Sequence, residues 1–144
     1  MISPVVLDEE ELEALREITA SKPRKPVVMV VDDDLEVLAE LRELIESAGF
    51  HCLTAGSATE ALRRIRRDES DIDLLVTDLR MEHEGAGLDL IRELSEVGTF
   101  LPIIVVSGQA DARDVIEAMR LNVLDFMVKP LDPAYFLEVL RRYL

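Results

Sequence analysis

Short apolar runs alternate with longer amphipathic segments along most of the chain. The runs are Val27–Val31, Phe50–Thr54, Asp73–Thr77, Pro102–Val106 and Leu124–Val128. Four of the five are nearly continuous in Val, Ile, Leu or Met, the pattern of parallel strands buried on both faces. Between and after them lie Asp34–Ser47, Ser57–Asp68, Leu88–Val97, Asp111–Leu121 and Asp132–Leu144. Apolar positions recur three and four apart in each, as in Leu38, Leu41 and Ile45, which predicts helices with one buried face. Gly49 stands where a left-handed C-cap would end the first helix. Ser57 with Glu60 three residues on reads as a capping box for the second. Five strand–helix units with short connections predict a parallel sheet covered on both faces. Right-handed crossovers limit it to a few doubly wound arrangements.

Residues 1–26 break this rhythm. Asp8, Glu9, Glu10, Glu11, Glu13 and Glu17 crowd the stretch, and Leu12, Leu15 and Ile18 recur at helical spacing. A short amphipathic helix from Leu7 to Ala20 is predicted, then broken by Pro23 and Pro26. The division is thus an acidic extension and linker, 1–26, and one domain, 27–144.

Length and charge narrow the function. The 144 residues are 49% hydrophobic, enough for one domain with a real core and too apolar for a disordered chain. Sixteen basic against thirty acidic residues give a net charge of −14. So acidic a surface repels phosphate backbones and anionic lipid, so neither direct nucleic-acid binding nor membrane association is expected. Cys52 is the single cysteine, which excludes an internal disulfide and reads as a small buried hydrophobe. No signal-peptide pattern and no apolar run near membrane-spanning length is visible, so a cytoplasmic location is expected.

In an open α/β sheet, ligands bind beyond the carboxyl ends of the strands. Asp32, Asp33 and Asp34 follow the first predicted strand and Asp78 the third. Ser107 and Gly108 follow the fourth, and Lys129 and Pro130 the fifth. Taken singly, each is an ordinary turn or cap. Together they place acids, a hydroxyl and an amine at corresponding ends of four strands. Packed carboxylates need a cation, and hard oxygen donors suit Mg²⁺. A further carboxylate can attack a phosphoryl group to form an aspartyl-phosphate.

The segments Val30-Val31-Asp32-Asp33-Asp34, Val76-Thr77-Asp78-Leu79-Arg80-Met81, Ile104-Val105-Val106-Ser107-Gly108 and Asp125-Phe126-Met127-Val128-Lys129-Pro130 resemble the receiver domains of two-component response regulators. The resemblance covers Pro26 to Leu144. It implies a flavodoxin-like (βα)5 doubly wound fold with strand order 2-1-3-4-5. It implies a phosphorelay switch rather than an enzyme, phosphorylated by a histidine kinase or a histidine phosphotransfer protein and dephosphorylating itself slowly. Asp78 would be the phosphoacceptor. Asp32, Asp33, Asp78 and the backbone carbonyl of Arg80 would hold Mg²⁺. Lys129 would pair with the phosphoryl group, Ser107 and Phe126 would be the switch pair, and the Lys129–Pro130 bond would be cis.

Several positions depart from that pattern. Glu82 stands where the family usually has Pro, and the loop Glu82–Gly87 is one residue longer than common. His83 reads as a solvated loop residue. Asn122 replaces a frequent Gly at a site suited to left-handed backbone. Arg80 and Gln109, two residues beyond Asp78 and Ser107, would shield the phosphoryl group and prolong its life. The last helix carries more apolar residues than one buried stripe needs, and Tyr135, Val139 and Tyr143 are a candidate dimer or partner surface. The downstream target is not identified by the sequence. The alternative is a haloacid-dehalogenase-like phosphatase using Asp32 and Asp34, although it would need a later acidic pair that the sequence lacks.

Overall fold

The computed structural model describes residues 8–13, 24–68, 71–98, 100–108 and 112–144. Five strands alternate with five helices. They are β1 Val27–Val31, α1 Leu35–Ser47, β2 His51–Ala55, α2 Ala58–Asp68, β3 Leu74–Thr77, α3 Ala86–Glu96, β4 Ile103–Ser107, α4 Ala112–Arg120, β5 Asp125–Val128 and α5 Pro133–Tyr143. The sheet is wholly parallel, in the order β2-β1-β3-β4-β5. The chain reverses its direction of travel across the sheet at β1. The adjacent ends of β1 and β3 therefore open into a crevice, since their following helices go to opposite faces.

Alternation along the strands divides the core in two. Val28, Val30, Leu74, Val76, Ile104 and Val106 face α1 and α5, where they meet Leu38, Leu41, Ile45, Phe136, Val139 and Leu140. Met29, Val31, Leu75, Ile103 and Val105 face α2, α3 and α4, against Ala61, Ile65, Leu90, Ile91, Leu94 and Ala118. The register keeps like with like, for Val28 pairs with Leu74 and Val76 with Ile104. Each large side chain so buried contributes roughly 1.5–3 kcal/mol of transfer free energy. β1, β3 and β4 are buried along their whole length. β2 and β5 are edge strands and are partly exposed.

Local chemistry sets the ends of the helices. Gly49 ends α1 at φ 93°, with its N–H on the Glu46 carbonyl and the Phe50 N–H on that of Ile45. Asn122 does the same for α4 at φ 64°. Ser57 accepts the Glu60 N–H, but the Glu60 carboxylate takes the Gly56 N–H rather than that of Ser57, so the box is one residue wider than expected. α3 begins at Ala86, two residues before the predicted Leu88.

In the extension, residues 9–13 are helical, with the Asp8 carboxylate accepting the Glu11 N–H. The rest of the predicted Leu7–Ala20 helix lies outside the described residues. Among the described residues no helix is long and apolar enough to cross a membrane. Val139, proposed above for a partner surface, is fully buried. It shares the inner stripe of α5 with Phe136 and Leu140, three and four apart, which leaves Tyr135 and Tyr143 outside.

Candidate functional site

Four buried polar side chains occur among the described residues, Asp32, Thr77, Asp78 and Ser107, and all lie at the carboxyl ends of β1, β3 and β4. Asp32 is 3% exposed, Asp78 7% and Ser107 1%. Burying such groups costs free energy unless each finds a partner, and each does.

The Asp78 Oδ1 accepts the N–H of Leu79 at 2.6 Å, that of Arg80 at 3.2 Å and the Ser107 hydroxyl at 2.9 Å. Its Oδ2 accepts the Lys129 ammonium at 2.8 Å. The same ammonium donates to Asp32 Oδ2 at 2.8 Å, and Asp32 Oδ1 accepts the Asp34 N–H at 2.9 Å. One cation thus bridges two buried carboxylates from strands β1 and β3. The Lys129–Pro130 peptide bond is cis.

The electrostatics follow from that sharing. Burial pushes the Asp32 carboxyl above its ordinary 3.8, and the Lys129 and Asp34 hydrogen bonds recover only part of the shift. Burial alone would lower the Lys129 ammonium. Its hydrogen bonds to Asp32 and Asp78 outweigh this and hold it above 10.5. Asp33 is exposed beside Asp32. Three carboxylates against one ammonium leave two negative charges unbalanced. An all-oxygen donor set with that surplus fits a hard divalent cation such as Mg²⁺. Among the described residues no three acidic, His or Cys side chains close a cage by themselves.

Other predicted residues fall at the rim. Phe126 is half-buried and packs against the α2–α3–α4 side of the core. The Arg80 guanidinium lies 3.8 Å from Asp114 on α4. His83 is exposed, its Nδ1 accepting the Gly85 N–H, as a solvated loop histidine should be. Gln109 lies outside the described residues. Asp34, needed by the phosphatase alternative, caps α1 instead, its carboxylate accepting the Glu36 N–H at 2.9 Å.

Two residues escaped the sequence reading. Gly87 donates its N–H to the Leu79 carbonyl at 2.9 Å, and a Cβ there would sit 2.1 Å from the Asp78 carbonyl oxygen. The first turn of α3 can therefore back the Asp78 loop only through a glycine. Glu82 was noted only as a departure from pattern. Its carboxylate accepts the Ala58 N–H at 3.0 Å and the Thr59 N–H at 3.4 Å, capping α2 from 24 residues away. Burial would raise its pKa, but these amides outweigh that and hold it below 4.5.

Comparisons with known proteins bear on the family and the fold. The family model described as the response regulator receiver domain matches residues 28–141. The two-component response regulator PprB of Pseudomonas aeruginosa is 36% identical over 118 residues, covering 80% of this chain and 42% of its own length. The response regulator protein TodT of Pseudomonas putida is 35% identical, covering 82% of this chain and 51% of its own. The chain thus spans about half the length of these curated relatives. A crystal structure of a response regulator receiver protein from Pseudomonas putida superposes with TM-score 0.78 at 38% identity, covering 84% of this chain and 99% of that one. A receiver domain from Clostridium thermocellum gives 0.76 at 27%, covering 82% and 93%. Sheet order, a carboxylate pair bridged by one lysine, and these likenesses together place the chain in the response regulator receiver family.

Proposed function

We propose that the chain is a phosphorylation-gated switch whose Asp78 accepts a phosphoryl group from a phosphohistidine of a histidine kinase or phosphotransfer protein in the cytoplasm. The observation that carries this reading is the Lys129 ammonium held at 2.8 Å from both Asp32 and Asp78. A carboxylate oxygen of Asp78 attacks phosphorus, the phosphorus–nitrogen bond to the donor imidazole breaks, and the imidazole leaves with its electron pair. Mg²⁺, held by Asp32, Asp33, Asp78 and the Arg80 carbonyl, would neutralise the phosphoryl oxygens. Lys129 offers the charge that balances the new anion, and the Ser107 hydroxyl, already 2.9 Å from Asp78, turns to one of its oxygens. That redirection vacates space into which the half-buried Phe126 rotates, and the outer faces of α4 and β5 change with it. Arg80 lies near the acceptor and slows in-line attack by water, so the protein dephosphorylates itself slowly. It does not turn over a substrate.

Incubation with acetyl phosphate and Mg²⁺, followed by intact mass, tests this. The wild type should gain one phosphoryl group and Asp78→Asn none. A phosphoryl group that persists in Asp78→Asn, or steady turnover of phosphate esters, would remove the proposal.

A further inference from the structure

The apolar seat of α4 is thin. Of its described residues Ala118 alone is buried, while Ile116 and Met119 are exposed. Its neighbour α3 buries Leu88, Leu90, Ile91 and Leu94. A methyl group offers little apolar area, so polar contacts carry much of the orientation of α4. Two ion pairs supply them. Arg92 of α3 pairs with Glu117, and with Asp89 of its own helix at 2.8 Å. The Arg80 guanidinium lies 3.8 Å from Asp114, in the first turn of α4. That second pair is partly sheltered, with 36% of the Arg80 side chain and 25% of the Asp114 side chain exposed.

Arg80 belongs to the Asp78 loop as well. Its backbone N–H donates to Asp78 Oδ1 at 3.2 Å, so its side chain leaves the backbone beside that carboxylate. At 3.8 Å its pair with Asp114 is loose by the standard of a hydrogen bond. A phosphoryl group on Asp78 would set about two negative charges and three acceptor oxygens there, in place of one carboxylate charge. A guanidinium fork matches phosphate oxygens with two parallel hydrogen bonds, and is less strongly hydrated than an ammonium. The new anion therefore competes with Asp114 for the same cation.

We propose that phosphorylation of Asp78 draws the Arg80 guanidinium from Asp114 to the phosphoryl oxygens and so frees the first turn of α4. The inference rests on Asp78 as the phosphoacceptor, and it adds a route by charge beside the route through Ser107 and Phe126. Glu117 stays on Arg92, which belongs to α3 and not to the Asp78 loop. α4 thus pivots about that pair and does not leave the sheet.

Acetyl phosphate and Mg²⁺ added to the full chain, with hydrogen exchange read by NMR, test this. In the wild type the amides of Ile116 to Ala118 should exchange about two- to fivefold faster once Asp78 is phosphorylated, the range that a partly exposed ion pair carries. Asp114→Asn should show the faster exchange beforehand and gain no more from phosphorylation. It should also lengthen the life of the phosphoryl group, measured by intact mass after the donor is removed, because Asp114 no longer competes for Arg80. Glu117→Gln loosens the same helix but should leave that lifetime at the wild-type value. Asp114→Glu should return both readouts toward wild type, and in an Arg80→Ala background Asp114→Asn should change neither. A wild-type chain that gains no phosphoryl group would remove the Asp78 reading and this inference with it. A chain that is phosphorylated, yet whose α4 exchange still rises on phosphorylation in Asp114→Asn, or whose phosphoryl lifetime is the same in Asp114→Asn and wild type, would leave the Asp78 reading standing and overturn the exchange of partners.

Discussion

Asp73 and Asp78 flank the same strand, β3, one before Leu74 and one after Thr77, yet their surroundings differ in kind. The Asp73 Oδ1 accepts the Arg24 guanidinium and its Oδ2 accepts the Val27 N–H at 2.7 Å. One charge meets one charge, and the second oxygen satisfies the first amide of β1. Asp78 accepts four hydrogen bonds, but its cation is shared with Asp32, and Asp33 stands alongside. At one end of the strand a half-exposed carboxylate is matched by an exposed guanidinium. At the other, two negative charges are left for a ligand to meet. The two also differ in burial, with 34% of the Asp73 side chain exposed against 9% for Asp78, and the imbalance of charge falls at the more buried of them.

The largest effect expected is at the shared cation. Lys129→Met should slow phosphorylation of Asp78 by acetyl phosphate about 10²- to 10³-fold, the usual loss for one preorganised donor, measured as initial rate by intact mass. It should also lower the unfolding midpoint of metal-free protein, because two buried carboxylates lose their partner. The ammonium is held above its ordinary 10.5 in the folded state, so its stabilisation is complete below 10.5 and disappears as pH rises through the folded value. Wild-type and Lys129→Met midpoints should therefore converge at strongly alkaline pH. A gap that stays constant would mean that Lys129 acts by packing alone.

Gly87→Ala comes next. A Cβ at 2.1 Å from a backbone oxygen forces α3 away from the Asp78 loop, and overpacking of this sort costs about 1–3 kcal/mol. Denaturant unfolding should register the loss, with amide shifts concentrated at Asp78 and Leu79. A neutral result would mean that the loop has slack, and that Asp78 is fixed by its own hydrogen bonds rather than by α3.

Asp73→Ala sharpens the contrast directly. Removing a carboxylate that satisfies an amide and a guanidinium should cost about 1–2 kcal/mol in unfolding free energy. The initial rate of Asp78 phosphorylation should stay at the wild-type value. A matching fall in rate would erase the distinction between the two ends of β3.

Much of this was legible without coordinates because it rests on period and position. Alternating runs define five strands, and parallel pairing puts the residues after each strand at one edge, so Asp32, Asp78, Ser107 and Lys129 converge. The register of Val28 with Leu74 adds nothing that the apolar pattern did not require. What stayed hidden depends on contacts between distant segments. Val139 looked available because α5 has more apolar residues than one stripe, and only the packing of Phe136 and Leu140 assigns it inward. Gly87 was hidden because its constraint is a single backbone approach, though a second glycine two residues after Gly85 was the available hint. Asp34 is one of three like neighbours, and which of them caps α1 is decided by one hydrogen bond.

Glu82 tests where the boundary between the two kinds of acid runs. It sits four residues beyond Asp78 in the sequence, and its carboxylate accepts the Ala58 and Thr59 amides at the positive end of α2. By the criterion of balance it belongs with Asp73. Glu82→Ala should then cost about 1 kcal/mol, as losing a helix cap does, and should change the phosphorylation rate far less than Lys129→Met. The folded-state pKa of Glu82 is held below 4.5, so its stabilisation is present above 4.5 and is lost as pH falls through the folded value. The difference in unfolding midpoint between wild type and Glu82→Ala should accordingly be full at neutral pH and shrink on acidification. Were the rate to fall as far as in Lys129→Met, Glu82 would have to be counted with Asp78, and the loop it anchors would be part of the reacting site rather than its frame.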